Sequence, residues 1–153
     1  PLLWVDGQGS RFANEDVVYD TAFWANAGYA AGGRYFIVVD QATLDSYTNG
    51  DTLRLSYSGP GPSKEGGNLT ELAELAVQGK TAWKGNTLSE LASAAGFDEK
   101  GFASSVDRYN TMVSQRNDTD YGKSAPLRRI ARTLLCVRLP RRISRNDRRR
   151  KSR

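Results

Sequence analysis

The 153-residue chain contains no histidine and a single cysteine, Cys136. Without an imidazole it can hold no Ser-His-Asp triad, no histidine-ligated metal and no imidazole acid–base pair. With one thiol, a zinc site or any other metal site is not expected either. The lone thiol rules out an internal disulfide and fits a reducing compartment. No apolar run is long enough to span a bilayer, and no basic segment leads into an apolar stretch at the amino end. A membrane partner is therefore not expected, and a cytoplasmic location is. Two nucleotide signatures are also missing: a GxGxxG after a strand and a GxxxxGK(S/T) loop. Gly59, Gly61, Gly66 and Gly67 sit in a proline-broken stretch and read as turn residues.

What the chain does have is an uneven charge. The net charge is +5, with 39% hydrophobic and 25% charged residues. Residues 126–153 carry twelve Lys/Arg and one acid, Asp147, leaving ten basic and sixteen acidic residues in 1–125. The expected organisation is an acidic body, 1–125, long enough for a core, and a basic tail, 126–153, too self-repelling to pack. Clustered Lys/Arg could displace counterions from phosphates. The tail has no aromatic residue for base stacking and no reading helix, so nucleic-acid binding is not expected of it. The chain opens at Pro1 with Leu2-Leu3-Trp4-Val5 already reading as a strand, as a piece of a longer protein would.

Asp6-Gly7 marks a tight turn between that strand and Arg11-Phe12. Residues 17–31 predict a helix capped by Asp16 or Asn14 and ended by Gly32-Gly33. Residues 34–40 form a continuous apolar run ending in Asp40, which predicts a strand covered on both faces. Asn68 with Glu71 and Thr87 with Glu90 have capping-box spacing, and Gly79 and Gly96 stand where those helices should stop. A third helix, from Asp98 to about Gln115, places Phe102, Val106, Tyr109 and Val113 on one face. Helices and strands do not alternate regularly, so the class is α+β. Trp4, Trp24 and Trp83, scattered singly, read as core.

The densest stretch is SRFANEDVVYD, residues 10–20. Asn14, Glu15, Asp16 and Asp20 suit acid–base work, and they equally suit the cap of a helix with a positive N-terminal end. Tyr19 is either a proton donor or a core phenol with a wet hydroxyl.

WVDGQGSRFANED resembles the V-(N/D)-x-x-G-x-R-F-x-N-E element of the fumarate reductase/succinate dehydrogenase flavoproteins. RYFIVVDQ is similar to that family's aromatic-rich strand. GKTAWKGNTLSELASAAGFDEKGFASSVDRYNTMVSQRNDTDYGKS resembles its helical run closing on D-x-D-(F/Y)-G-K. The pieces occur in order and cover about residues 2–125. The resemblance implies the cap domain that clamps substrate against FAD, with its hinge segments. The Rossmann-type FAD domain would lie outside the chain, and relatives include ketosteroid dehydrogenases. The implied chemistry is hydride transfer between flavin and an activated C=C or C–C bond of a small-molecule substrate, a protein group handling the proton. In fumarate-type members that group is the arginine of N-E-x-x-x-R-D, and Tyr19 stands at its position. Tyrosine lacks the planar fork that binds a dicarboxylate, so another substrate class is expected. Arg11, Asn14, Glu15 and Asp20 match the motif and are expected to hold the hairpin and cap.

Alone, the chain is expected to be inactive and to lack the determinants for FAD. From about Ala131 the arginine-rich end is expected to be out of frame or degraded: in the next frame, codons for residues 131–137 can spell the family's A-P-F-Y-A. The coding DNA tests this, and a next frame without a glycine-rich flavin segment would refute it. The other readings of the whole chain are a small binding protein whose basic tail docks on nucleic acid or anionic membrane, and a remnant without function.

Overall fold

The apolar run that ends in Asp40 becomes the middle of a sheet. The computed structural model describes residues 3–19, 21–48, 69–124, 129–131 and 134–139. Four strands, β1 (Leu3–Asp6), β2 (Tyr35–Asp40), β3 (Ala82–Gly85) and β4 (Leu134–Leu139), form one antiparallel sheet in the order β1-β2-β4-β3. Successive strand side chains face opposite ways, so a strand needs an unbroken apolar run only when both faces are covered. That is the case for β2. Phe36 and Val38 join Leu3, Val5 and Cys136 on one face, under Leu91, Phe102, Val106 and Tyr109. Tyr35 and Ile37 pack with Trp4 on the other, and Val39 with Leu44 and Ala82.

The helices are α1 (Thr21–Ala30), α2 (Gln41–Thr48), α3 (Leu69–Gln78), α4 (Leu88–Ala95) and α5 (Glu99–Gln115). Helices α4 and α5 supply the first face, and α1, α2 and α3 contribute to the second. Helix and antiparallel sheet together give the mixed class expected from the sequence.

Several local expectations hold in detail. Thr87 caps α4, its hydroxyl accepting from Glu90 N–H at 3.1 Å, while Glu90 Oε2 accepts from Asn86 N–H at 2.8 Å. Gly96 ends α4 in the left-handed conformation, φ 77°, which glycine adopts without a Cβ penalty. Asp98 caps α5 through Gly101 N–H at 2.6 Å.

Others are corrected. The single helix expected over 17–31 is two pieces, a 3-10 helix at Glu15–Tyr19 and then α1. Asn14 is the cap, its Oδ1 accepting from Asp16 N–H at 2.8 Å. On α5, Met112 rather than Val113 completes the fully buried stripe, because 3.6 residues per turn let either flank it. The expected boundary at residue 125 does not match the fold. Strand β4 lies beyond it, pairing with both β2 and β3, and Ile130 and Cys136 are core residues. Burial pushes the Cys136 thiol up to about 12, so it packs as a small apolar group. The proposed Asn68 cap, the glycine-proline stretch of 50–67 and the rest of the tail lie outside the described residues.

Candidate functional site

The Asp6-Gly7 turn brings Arg11 back beside β1, with Val5 and Arg11 forming an isolated antiparallel bridge. Asp6 Oδ1 accepts from Gln8 N–H at 2.8 Å and from Ser10 N–H at 3.0 Å. Gly9 has φ 84°, and a Cβ there would lie 2.8 Å from Phe102 Cβ. Only glycine lets the turn lie this close to α5.

From this turn the Arg11 side chain enters the interior, where two carboxylates hold it. Its Nε and Nη2 donate to Glu15 Oε1 and Oε2 at 2.8 and 2.7 Å. Its Nη1 and Nη2 donate to Asp118 Oδ1 and Oδ2 at 3.0 and 2.7 Å. Both contacts are bidentate, the arrangement that suits a planar guanidinium. Lys123 Nζ adds an ion pair to Glu15 Oε2 at 3.2 Å, and Glu15 Oε1 also accepts from Trp4 N–H at 3.3 Å. The four charged side chains are 7% exposed or less and sum to zero charge. A buried set of ions persists when it is paired and hydrogen-bonded in this way.

The electrostatics follow from the contacts. Burial opposes the charge on Arg11, but the hydrogen bonds to Glu15 and Asp118 outweigh it and hold the guanidinium above its ordinary pKa. Burial likewise opposes ionised Asp118. Arg11 and the backbone N–H groups of Tyr121 and Lys123 overcome that and hold the carboxyl well below the usual range. Two tyrosine rings flank the arginine, Tyr109 at 5.2 Å and Tyr121 at 5.0 Å from its central carbon. Burial, reinforced by Glu15, pushes the Tyr109 phenol up. Its hydroxyl has no hydrogen-bond partner among the described residues. An open pocket of about 480 Å³ lies alongside, lined in part by Ser10, Arg11, Ser105, Arg108, Asp120 and Tyr121. Arg108 and Asp120 form a salt bridge at its rim.

Of the residues singled out in the sequence, Arg11, Asn14 and Glu15 come together here. Tyr19 ends the 3-10 helix that starts at Glu15, and its side chain and all of Asp20 lie outside the described residues. Trp4 is core and Trp83 packs against the core, while the Trp24 side chain also lies outside the described residues. Asp118, Lys123 and Tyr109 were missed as site residues. Their signal was present, since they belong to the V-x-R-Y-N and D-x-D-(F/Y)-G-K segments of the resemblance.

The strand-to-helix junctions among the described residues do not fit a dinucleotide pyrophosphate. A dinucleotide pyrophosphate needs glycines and free helix N-terminal amides after a strand. Here β2 passes directly into α2, and buried Asp40 fills that place, accepting from Thr43 N–H at 2.9 Å. A carboxylate there repels a pyrophosphate. After β3, Thr87 and Glu90 occupy the start of α4. Among the described residues no group of three or more metal-ligating side chains gathers, and no helix is long and apolar enough to cross a membrane.

No family model matches the chain. It is 28% identical over 130 residues to a vinyl phenol reductase of Lactiplantibacillus plantarum, covering 81% of this chain and 25% of the relative. It is 28% identical to a 4-oxocyclohex-2-ene-1-carboxylate 5-dehydrogenase of Sinomonas cyclohexanicum, covering 19% of that protein. The chain thus spans a quarter or less of the length of these curated relatives. Its fold is similar to that of a flavocytochrome c3 fumarate reductase, with TM-score 0.63 and 19% identity over 91% of this chain and 21% of the other. A 3-ketosteroid delta1-dehydrogenase from Sterolibacterium denitrificans gives the same TM-score, 0.63, at 19% identity over 92% of this chain and 27% of that one. A fumarate reductase flavoprotein subunit from Lactobacillus plantarum, solved by solution NMR, matches with TM-score 0.59 at 17% identity over 91% of this chain and 82% of that one. The relatives and structural neighbours of the chain are fumarate reductase flavoproteins, ketosteroid dehydrogenases and a vinyl phenol reductase.

Proposed function

We propose, from this kinship with fumarate reductase flavoproteins and ketosteroid dehydrogenases, that the chain is the substrate-capping part of a flavin-dependent oxidoreductase. The reaction class is reduction or dehydrogenation of an activated carbon–carbon bond in a small molecule. The observation that carries this reading is a convergence: family-motif residues from separate stretches of sequence meet in one buried cluster. Arg11, Glu15, Tyr109, Asp118 and Lys123 gather where the 3-10 helix ending in Tyr19 begins.

Tyr19 is the residue assigned to the proton. A positioned phenol can donate its proton as a general acid. It offers no bidentate grip on a dicarboxylate, which favours substrates other than fumarate. The names of two relatives, for a vinyl phenol and for an oxocyclohexene carboxylate, agree with that preference. Arg11 is committed to two carboxylates and belongs to the scaffold rather than to the substrate. Neither described strand-to-helix junction offers a pyrophosphate cradle, so on this reading the cofactor is held by other parts of the enzyme.

The experiment is a transplant. Residues 3–139 replace the matching region of the Lactiplantibacillus plantarum vinyl phenol reductase, and turnover is measured. Reductase activity should survive, and Tyr19→Phe should lower kcat by about 100-fold or more, the usual weight of a positioned general acid. The isolated chain should carry no flavin absorbance. A yellow isolated protein, or full activity of the Tyr19→Phe hybrid, would overturn the assignment.

A further inference from the structure

Three consecutive residues at the start of the 3-10 helix are held by one distant segment. Asn14 Nδ2 donates to the Tyr121 carbonyl at 3.1 Å across 107 positions. Glu15 takes Lys123 Nζ at 3.2 Å and shares Arg11 with Asp118. Asp16 Oδ2 accepts from Ser124 N–H at 2.9 Å and from Ser124 Oγ at 3.0 Å, across 108 positions. Tyr121 returns a bond of its own, its hydroxyl donating to the Arg11 carbonyl at 3.2 Å. Residues 118–124 therefore grip both the turn before the helix and its first residues.

The consequence lies at the other end of the helix. A 3-10 helix of five residues has few internal hydrogen bonds and poor geometry for those it makes. Its first turn is capped locally by Asn14 and packed through Val17, and its first residues are tied from outside as well. The segment is tied to itself as well, Asp118 accepting from the backbone N–H groups of Asp120, Tyr121 and Lys123, each at 3.1 Å. We propose that residues 118–124 are a positioning clamp for Tyr19, acting through the backbone of residues 15–19, with Asp16 and Ser124 its outermost pair. This rests on the reading of Tyr19 as the proton-handling group. Asp16 and Ser124 are then positioning residues without a chemical role. The buried ions hold the Glu15 carboxylate through Arg11, Lys123 and Trp4 N–H, and the Asp16–Ser124 pair adds a separate anchor one residue further along.

The test uses the whole chain, isotope-labelled, with Asp16→Ala, Ser124→Ala and Ser124→Thr. Amide exchange of residues 17–19 should rise at least tenfold in Asp16→Ala and less in Ser124→Ala, which keeps the backbone donor. Ser124→Thr, which keeps the hydroxyl, should restore protection. The ring signals of Tyr19 should shift or broaden in step, while amides of α5 keep wild-type exchange. Unchanged exchange and ring signals at 17–19 would overturn the clamp. So would a rise shared equally by α5, which would mean only global loosening. In Tyr19→Phe the exchange at 17–18 should stay at the wild-type level. If that variant proves active in the transplanted enzyme, the Tyr19 reading falls while the exchange results still decide the clamp.

Discussion

Arg11 directs two N–H edges of its guanidinium at carboxylates, and each carboxylate supplies one of the cluster's two negative charges. Replacing Asp118 by Asn leaves a buried cation short of half its counter-charge. Breaking a buried pair in this way costs about 3–5 kcal/mol, and urea unfolding at neutral pH should show that loss. The pH dependence has a definite sign. Asp118 is depressed in the folded state, so its contribution is complete above the unfolded carboxyl pKa of about 4 and declines as pH falls below it. Urea midpoints between pH 6 and 2.5 should fall for the wild type, and the Asp118→Asn profile should be flatter. An equally steep profile in the variant would place the acid sensitivity elsewhere. The Arg11–Glu15 half of this unit is local, four positions along the chain, and both residues were expected only to hold the hairpin and cap. Asp118 stands 107 positions from Arg11, and no local periodicity connects them. Only the family motif put Asp118 within reach.

At the scale of elements, the chain announced its helix ends better than its helix types. The cap of α4 was readable because a hydroxyl and a carboxylate three residues apart can each satisfy an exposed N–H. Thr87→Ala should cost about 0.5–2 kcal/mol, Thr87→Ser close to nothing, as read from thermal and urea midpoints. A similar loss in both would point to the threonine methyl rather than the cap. The 3-10 helix was not legible, because its first residues are bonded to residues 118–124, more than a hundred positions away, where no local pattern points. Strand β4 was hidden for another reason. LLCVRL is an ordinary strand sequence, but it sits among arginines whose density dominated the reading of the tail. Its place in the sheet depends on the exposed edges of β2 and β3, which the tail itself does not encode.

At the scale of the molecule, the sheet order β1-β2-β4-β3 puts the last of the described strands on the inside. A chain cut after residue 131 would leave β2 with a bare edge and β3 without its partner strand, the condition under which sheets pair with other chains. That truncated protein should form oligomers or aggregates by light scattering. A synthetic peptide of residues 132–141 should return it to a monomer by strand addition. A truncated chain that stays monomeric and cooperatively folded would show that the inner strand is dispensable. The order of synthesis then acquires a meaning of its own. Every other element of the sheet leaves the ribosome before the strand that joins them. Until β4 arrives, the nascent protein holds the β1-β2 pair and a lone β3 with a vacant slot between them, and the sheet closes only once residues 134–139 have been made.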